Sequence, residues 1–142
     1  KDQEIHKAAN LGKDDEIIDI LKAGGDPNVK GAQNRAPLHR AVGKKHDNVV
    51  EVLLQYKADV SAIDNSGYTA MHWAGMFGAV ECAKMLVEAK ADFNVGSKSL
   101  DTPLHLAAEK NKIAFINYAI GEGADTGLAN SKGETPATVA GK

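Results

Sequence analysis

The feature that most constrains this chain is a spacing. Histidines stand at His6, His39, His72 and His105, each 33 residues after the last, inside IHKAAN, LHRAVG, MHWAGM and LHLAAE. A further copy, ATVAGK from Ala137, carries Thr138 at the same phase. A second marker keeps the same step: Asp26, Asp59, Asp92 and Asp125, in GGD, KAD, KAD and GAD. Two independent markers held in register without an insertion make each block one supersecondary unit. Such a unit buries its apolar face only by stacking on its neighbours.

Each period reads as two helices and a turn. The first helix opens at Thr69, Thr102 and Thr135, whose hydroxyls can accept from first-turn N–H groups. Pro37, Pro103 and Pro136 fall where a helix tolerates proline best, at its first position. The second helix carries an apolar doublet repeated four residues on: Val49, Val50, Leu53, Leu54; then Cys82, Ala83, Leu86, Val87; then Phe115, Ile116, Ala119, Ile120. That spacing paints one wide stripe on one helix face. The first copy reads Glu16, Ile17, Ile20, Leu21, and its charge suits an end unit with no outer neighbour. After each marker aspartate come turn-rich stretches such as DNSGY and NSKGE.

Helix, helix and turn at this period, with TPLHLAA from Thr102, resemble the ankyrin repeat over essentially the whole chain. The resemblance implies an all-α ankyrin-repeat solenoid, a single domain over residues 1–142. Its repeats would run 1–30, 31–63, 64–96 and 97–129, with an incomplete C-terminal capping repeat from 130 to 142. Short hairpin fingers would project between repeats, and fingers and first helices would form a concave face. The sequence departs from the family pattern at four places. Lys57 and Lys90 replace glycine at the end of a second helix, at about 1 kcal/mol each if the backbone there is left-handed. Leu100 replaces a finger glycine, and Ala36 lacks a capping hydroxyl. The last copy stops inside its first helix, which is expected to fray or to continue in a longer parent. The start at Lys1, without methionine, likewise suits an excised segment.

Composition narrows the function classes. The net charge of −2 and pI near 6.2 argue against nucleic acid, which demands a basic field. No apolar run approaches the ~20 residues that cross a bilayer, so membrane insertion is not expected. The single cysteine, Cys82, suits a reducing compartment, hence the cytoplasm or the nucleus.

Neither metal nor catalysis is expected. Equivalent residues of stacked repeats lie roughly 8–10 Å apart, whereas zinc ligands sit ~2 Å from the metal. The resemblance gives His39, His72 and His105 another role, tying the threonine of their own repeat to backbone of the next. His46 is expected at the surface or as a cap. Asp14, Asp15 and Glu16 bunch at a helix start, where negative charge favours the dipole. With no phosphate-binding glycine loop, nucleophile elbow or Cys-x-x-Cys pair, no enzyme and no cofactor are read here. The resemblance also implies candidate hydroxylation at Asn28 and Asn94.

Function is then expected at positions the repeat leaves free. By the family pattern these are finger tips and the open side of the first helices: Asp2, Lys7, Asn10 and Leu11; Gln33, Arg35, Arg40, Gly43 and Lys44; Asn65, Ser66, Tyr68, Trp73, Met76 and Phe77; Lys98, Ser99, Asp101, Glu109 and Lys110; then Ser131, Lys132 and Glu134. Of these, Gln33, Arg35, Arg40, Lys44, Asn65, Ser66, Tyr68, Trp73, Met76, Phe77, Lys98, Asp101, Glu109 and Lys110 are the predicted partner-binding residues. Trp73, Met76 and Phe77 share a helix face, beside a basic rim of Arg35, Arg40 and Lys44, with Lys45 close by. Trp, Tyr and Arg dominate binding energetics. Partial burial between repeats competes for Trp73 and Phe77, while Met76 and Tyr68 are expected to be exposed. The expected function is a monomeric, non-enzymatic protein–protein interaction module centred on repeats two and three. Its partner would be an extended or helical segment bearing apolar and acidic residues. The alternative is a regulatory or substrate-recruiting segment of a larger enzyme or channel.

Overall fold

The computed structural model describes residues 2–140, all helix and turn, with no strand among them. Four helix pairs follow one another: α1 (Asp2–Leu11) and α2 (Asp14–Lys22), α3 (Pro37–Gly43) and α4 (Asp47–Gln55), α5 (Ala70–Phe77) and α6 (Val80–Glu88), α7 (Pro103–Glu109) and α8 (Ile113–Gly121). A short α9 (Pro136–Ala140) ends the order. First helices pack in one layer, α1 on α3 on α5 on α7 on α9, and second helices in another, α2 on α4 on α6 on α8. This is the solenoid of stacked helix pairs that the resemblance implies. The side chain of Asp2, and Gly141 and Lys142 where fraying was expected, lie outside the described residues.

The markers have visible jobs. Asp26, Asp59, Asp92 and Asp125 each accept, through Oδ1, the backbone N–H two residues on, at 2.8 Å. The same turn closes every pair because an aspartate can hydrogen-bond its own local backbone. Asn28 and Asn94 extend it, accepting from the backbone N–H of Asp59 and Asp125 in the following turn. His39, His72 and His105 bridge pairs through Nε2 to the carbonyls of Tyr68, Asp101 and Glu134, at 2.7–2.8 Å. Their Nδ1 atoms accept from the backbone N–H of Ala36, Thr69 and Thr102. Donation from Nε2 and acceptance at Nδ1 require the neutral ring, and burial lowers the pKa of His39 and His72. Where Ala36 lacks the hydroxyl, the backbone half of the arrangement remains.

Four fingers have the same closure: the N–H of Gly31, Asp64, Ser97 and Asn130 reaches the carbonyl of Arg35, Tyr68, Asp101 and Glu134. Neighbouring fingers are joined by Asn65 N to Gln33 O, Lys98 N to Ser66 O, and Ser131 N to Ser99 O. The suspected departures are left-handed, with φ of 70° at Lys57, 73° at Lys90 and 62° at Leu100.

Val49, Val50, Leu53, Cys82, Ala83, Leu86, Phe115 and Ala119 are buried, as the stripe requires. Ile120, predicted to lie in it, is instead 48% exposed. It stands at the outer side of α8, and no second helix follows α9 among the described residues to cover it. His46 holds the N-cap position of α4, as expected, but its side chain makes no capping bond: half-buried, it bonds through Nε2 to the carbonyl of Asn10. Cys82 is buried and donates its S–H to Asp47 Oδ1 at 3.1 Å. Burial, with Asp47 beside it, pushes the thiol far above its ordinary range, so it is inert packing. No described helix is long and apolar enough to cross a membrane.

Candidate partner-binding groove

Thr69 starts the site. Its extended backbone and hydroxyl cap α5, the hydroxyl accepting from the N–H of His72. The helix then presents Trp73, Met76 and Phe77 on successive turns toward α3. On the α3 side, Gly43 makes this approach possible. A Cβ there would lie 2.6 Å from Cε3 of Trp73, so the indole is seated on bare backbone. His39 meets the same ring edge-on, with centroids 5.9 Å apart, and the tilted ring of Phe77 has its centroid 5.8 Å away.

The finger supplies the polar half. Asp64 is buried at 5% exposure and accepts through Oδ1 from the N–H of Ser66 and Tyr68. Its Oδ2 accepts from the indole Nε1–H of Trp73 at 3.1 Å. One carboxylate thus fixes both the finger and the aromatic side chain. The neighbouring fingers use Ser97 and Asn130 for the same backbone pair but carry no such link to an aromatic ring. Tyr68 stacks on the ring of His72, with centroids 5.4 Å apart. Burial, then Asp101, Asp64 and Glu109, raise the pKa of its phenol, which stays a neutral donor.

Two arginines complete the groove. Arg35 lies over Trp73, its Cζ 4.7 Å from the ring centre, and its Nη2 donates to Gln33 Oε1. Arg40 donates from Nε to His6 Nδ1 at 3.2 Å and from Nη2 to the carbonyl of Ala32. Burial, and then the charge of Arg35, hold Arg40 below its ordinary pKa. It remains a cation, but one whose charge is not offset.

Arg35, Arg40, Lys44, Ser66, Tyr68, Trp73, Met76 and Phe77 therefore share one groove of about 500 Å³. Asn10, Gly43 and Asp64 line it too. Asp64 was absent from the predicted set, because as part of DNSG it reads as a turn residue. Its spacing to Tyr68, shared with Ser97 and Asn130 in their fingers, is the signal that marks it as a finger anchor. Phe77 is the most exposed of the aromatics here, at 38%, while Met76 and Tyr68, expected to be exposed, are half-buried. Tyr68 is covered because it stacks on His72.

The remaining predicted residues do not join this groove. Asp101 and Glu109 line a second one of about 480 Å³, with Leu106, Asn130, Lys132 and Glu134. There Asp101 Oδ1 accepts from Asn130 Nδ2 at 2.9 Å. Gln33, Asn65, Lys98 and Lys110 are exposed and line neither groove, and Lys45 is taken up by a left-handed turn. No cluster of three His, Cys, Asp or Glu residues able to hold a metal occurs among the described residues.

Comparison with known proteins gives a consistent picture. A family model described as ankyrin repeats, three copies, matches residues 5–97. Human ankyrin repeat and SOCS box protein 16 is 35% identical over 122 residues, which is 85% of this chain and 27% of that protein. The nuclear factor NF-kappa-B p105 subunit of Gallus gallus is 30% identical over 141 residues, 96% of this chain and 14% of its own length. The transient receptor potential channel pyrexia of Drosophila melanogaster is 33% identical over 128 residues, 89% and 13%. The chain thus spans less than a third of the length of each of these relatives.

Proposed function

This chain belongs to the ankyrin-repeat family, and from that premise we propose that it is a non-enzymatic protein-binding module whose partner segment lies in the groove between α3 and α5. The observation that carries this reading is the grouping of Trp73, Met76, Phe77 and Tyr68 with Arg35, Arg40 and Lys44 in one groove. An apolar anchor beside a cationic rim fits a segment with one large apolar residue and adjacent negative charge. The tethered indole and finger are already ordered, so little freedom is lost on binding. We take residues 1–142 as a single monomeric ankyrin domain acting in the cytoplasm or the nucleus.

A second reading is supported by the lengths of the relatives. Because the similar stretch is a small part of each, the second reading is a regulatory or substrate-recruiting segment of a larger enzyme or channel. In both readings the groove has the same job.

The test is capture of partners by the full-length protein, followed by affinity measurement with Trp73→Ala, Met76→Ala and Phe77→Ala. A loss of about 2 kcal/mol or more is expected for Trp73 or Met76, with the helical melt retained. Substituting Arg35 or Arg40 should mainly slow association and flatten its salt dependence. Unchanged partner affinity in variants that remain folded would move the binding face elsewhere.

A further inference from the structure

We infer that Arg35 and Arg40 together form a receptor for one phosphoryl group, carried on a phosphorylated side chain of the partner segment and seated beside the indole of Trp73. This rests on the reading of the groove as the binding face and adds the chemistry of its anionic contact.

The two guanidinium groups are held in place but not neutralised. Arg35 is fixed by the Trp73 ring and by the neutral side chain of Gln33. Its Nε is shut off from solvent and meets no acceptor among the described residues. Arg40 is fixed by the His6 ring and a backbone carbonyl. Lys44, four residues along, adds a third positive charge to the same groove. Among the described residues the only carboxylate lining that groove is Asp64, and its oxygens are occupied by Trp73, Ser66 and Tyr68. Like charges gathered in excess of their counter-charge repel, and a bound anion removes that cost.

Donor capacity then selects the anion. Leaving aside the buried Nε–H of Arg35, Arg35 uses one of its N–H groups and Arg40 two, so the rest of both planar forks stays available. That is more than the two oxygens of one carboxylate can accept. A phosphoryl group offers three acceptor oxygens and a charge of about −1.5 to −2. This matches the surplus of three cations over one carboxylate in the groove. Arginine forks suit such a group because they meet it with paired, charge-assisted hydrogen bonds.

The experiment is an NMR titration of the nitrogen-15-labelled protein with N-acetyl-phosphoserine amide and, separately, N-acetyl-glutamate amide at matched ionic strength. The Nε–H signals of Arg35 and Arg40 and the indole N–H of Trp73 are followed. Saturable shifts of all three are expected, with the phosphorylated probe binding about tenfold or more tightly than the carboxylate. Arg35→Gln or Arg40→Gln should abolish the preference, and Lys98→Gln should leave it unchanged. Equal binding of the two probes, no saturable shift, or a preference that survives both arginine substitutions overturns the inference. Should Arg40→Gln unfold through loss of the His6 contact, the two probes on the unaltered protein still decide. Neither probe requires a partner, so failure here is distinct from failure of partner capture.

Discussion

The indole nitrogen of Trp73 donates to Asp64 at 3.1 Å, so the aromatic anchor of the groove is tied to the finger that walls it. The same carboxylate holds the backbone N–H groups of Ser66 and Tyr68. Finger shape and indole position are therefore one structural variable.

Asp64→Ala should cost about 2–4 kcal/mol in chemical denaturation, since three donors to a buried charge lose their acceptor. Asp64→Asn should cost less. Its oxygen can still accept from the finger, as Asn130 does in the finger after α8, while the indole loses its acceptor. The indole N–H resonance should then move in both variants, with the finger amides preserved only in Asn. Loss of the finger amides in Asn as well would show that the charge, not the acceptor geometry, holds the turn.

The left-handed residues predict substitutions that stabilise. Lys57→Gly and Lys90→Gly should each raise stability by about 0.5–1 kcal/mol, because their φ of 70° and 73° strains a side chain that has a Cβ. The gain stays below the full strain because glycine is freer in the unfolded chain. Leu100→Gly, at φ 62°, should behave alike. A lower denaturation midpoint in all three would refute the strain assignment.

Gly43→Ala should destabilise by about 1–3 kcal/mol and shift tryptophan emission, since the added methyl overlaps the indole ring. Trp73 is the only tryptophan, so its emission reports this one contact. An unchanged spectrum and melt would mean that α3 and α5 separate without cost.

Acid should loosen the stack through the bridging histidines. Burial lowers the folded pKa of His39 and His72 below the ordinary 6.5, so between those values the unfolded chain binds more protons. Stability is therefore full above 6.5 and falls as pH drops from 6.5 toward the depressed folded values, by at most about 1.4 kcal/mol per pH unit per ring. His72→Gln should lower stability at neutral pH and flatten this slope in pH-dependent melts. A slope identical to that of the unaltered protein would remove His72 from the acid response.

Much of this molecule is legible from spacing alone because its markers act locally. The aspartate turns, the threonine caps and the proline starts depend on residues within four positions of one another. The histidine bridges reach one repeat ahead, always by the same step, so the period carries them too. The strained lysines and Leu100 were readable for the same reason: a position that needs φ > 0 recurs in register and stands out when it lacks glycine.

The groove was legible only as a set of candidates. Helical spacing put Trp73, Met76 and Phe77 on one face, but which of them would be covered depended on α3, and there on the absence of a side chain at Gly43. Local turn chemistry in DNSG could not show that the second oxygen of Asp64 reaches an indole nine residues away. Nor could it show that Arg35 lies on that ring, or that Asp101 and Glu109 belong to a different groove. The sequence by itself determined the repeat, its register and its caps, because these are set by short-range hydrogen bonds and a fixed apolar period. Only the tertiary structure decided which residues line the groove, because that depends on which side chains from adjacent repeats meet when the stack closes.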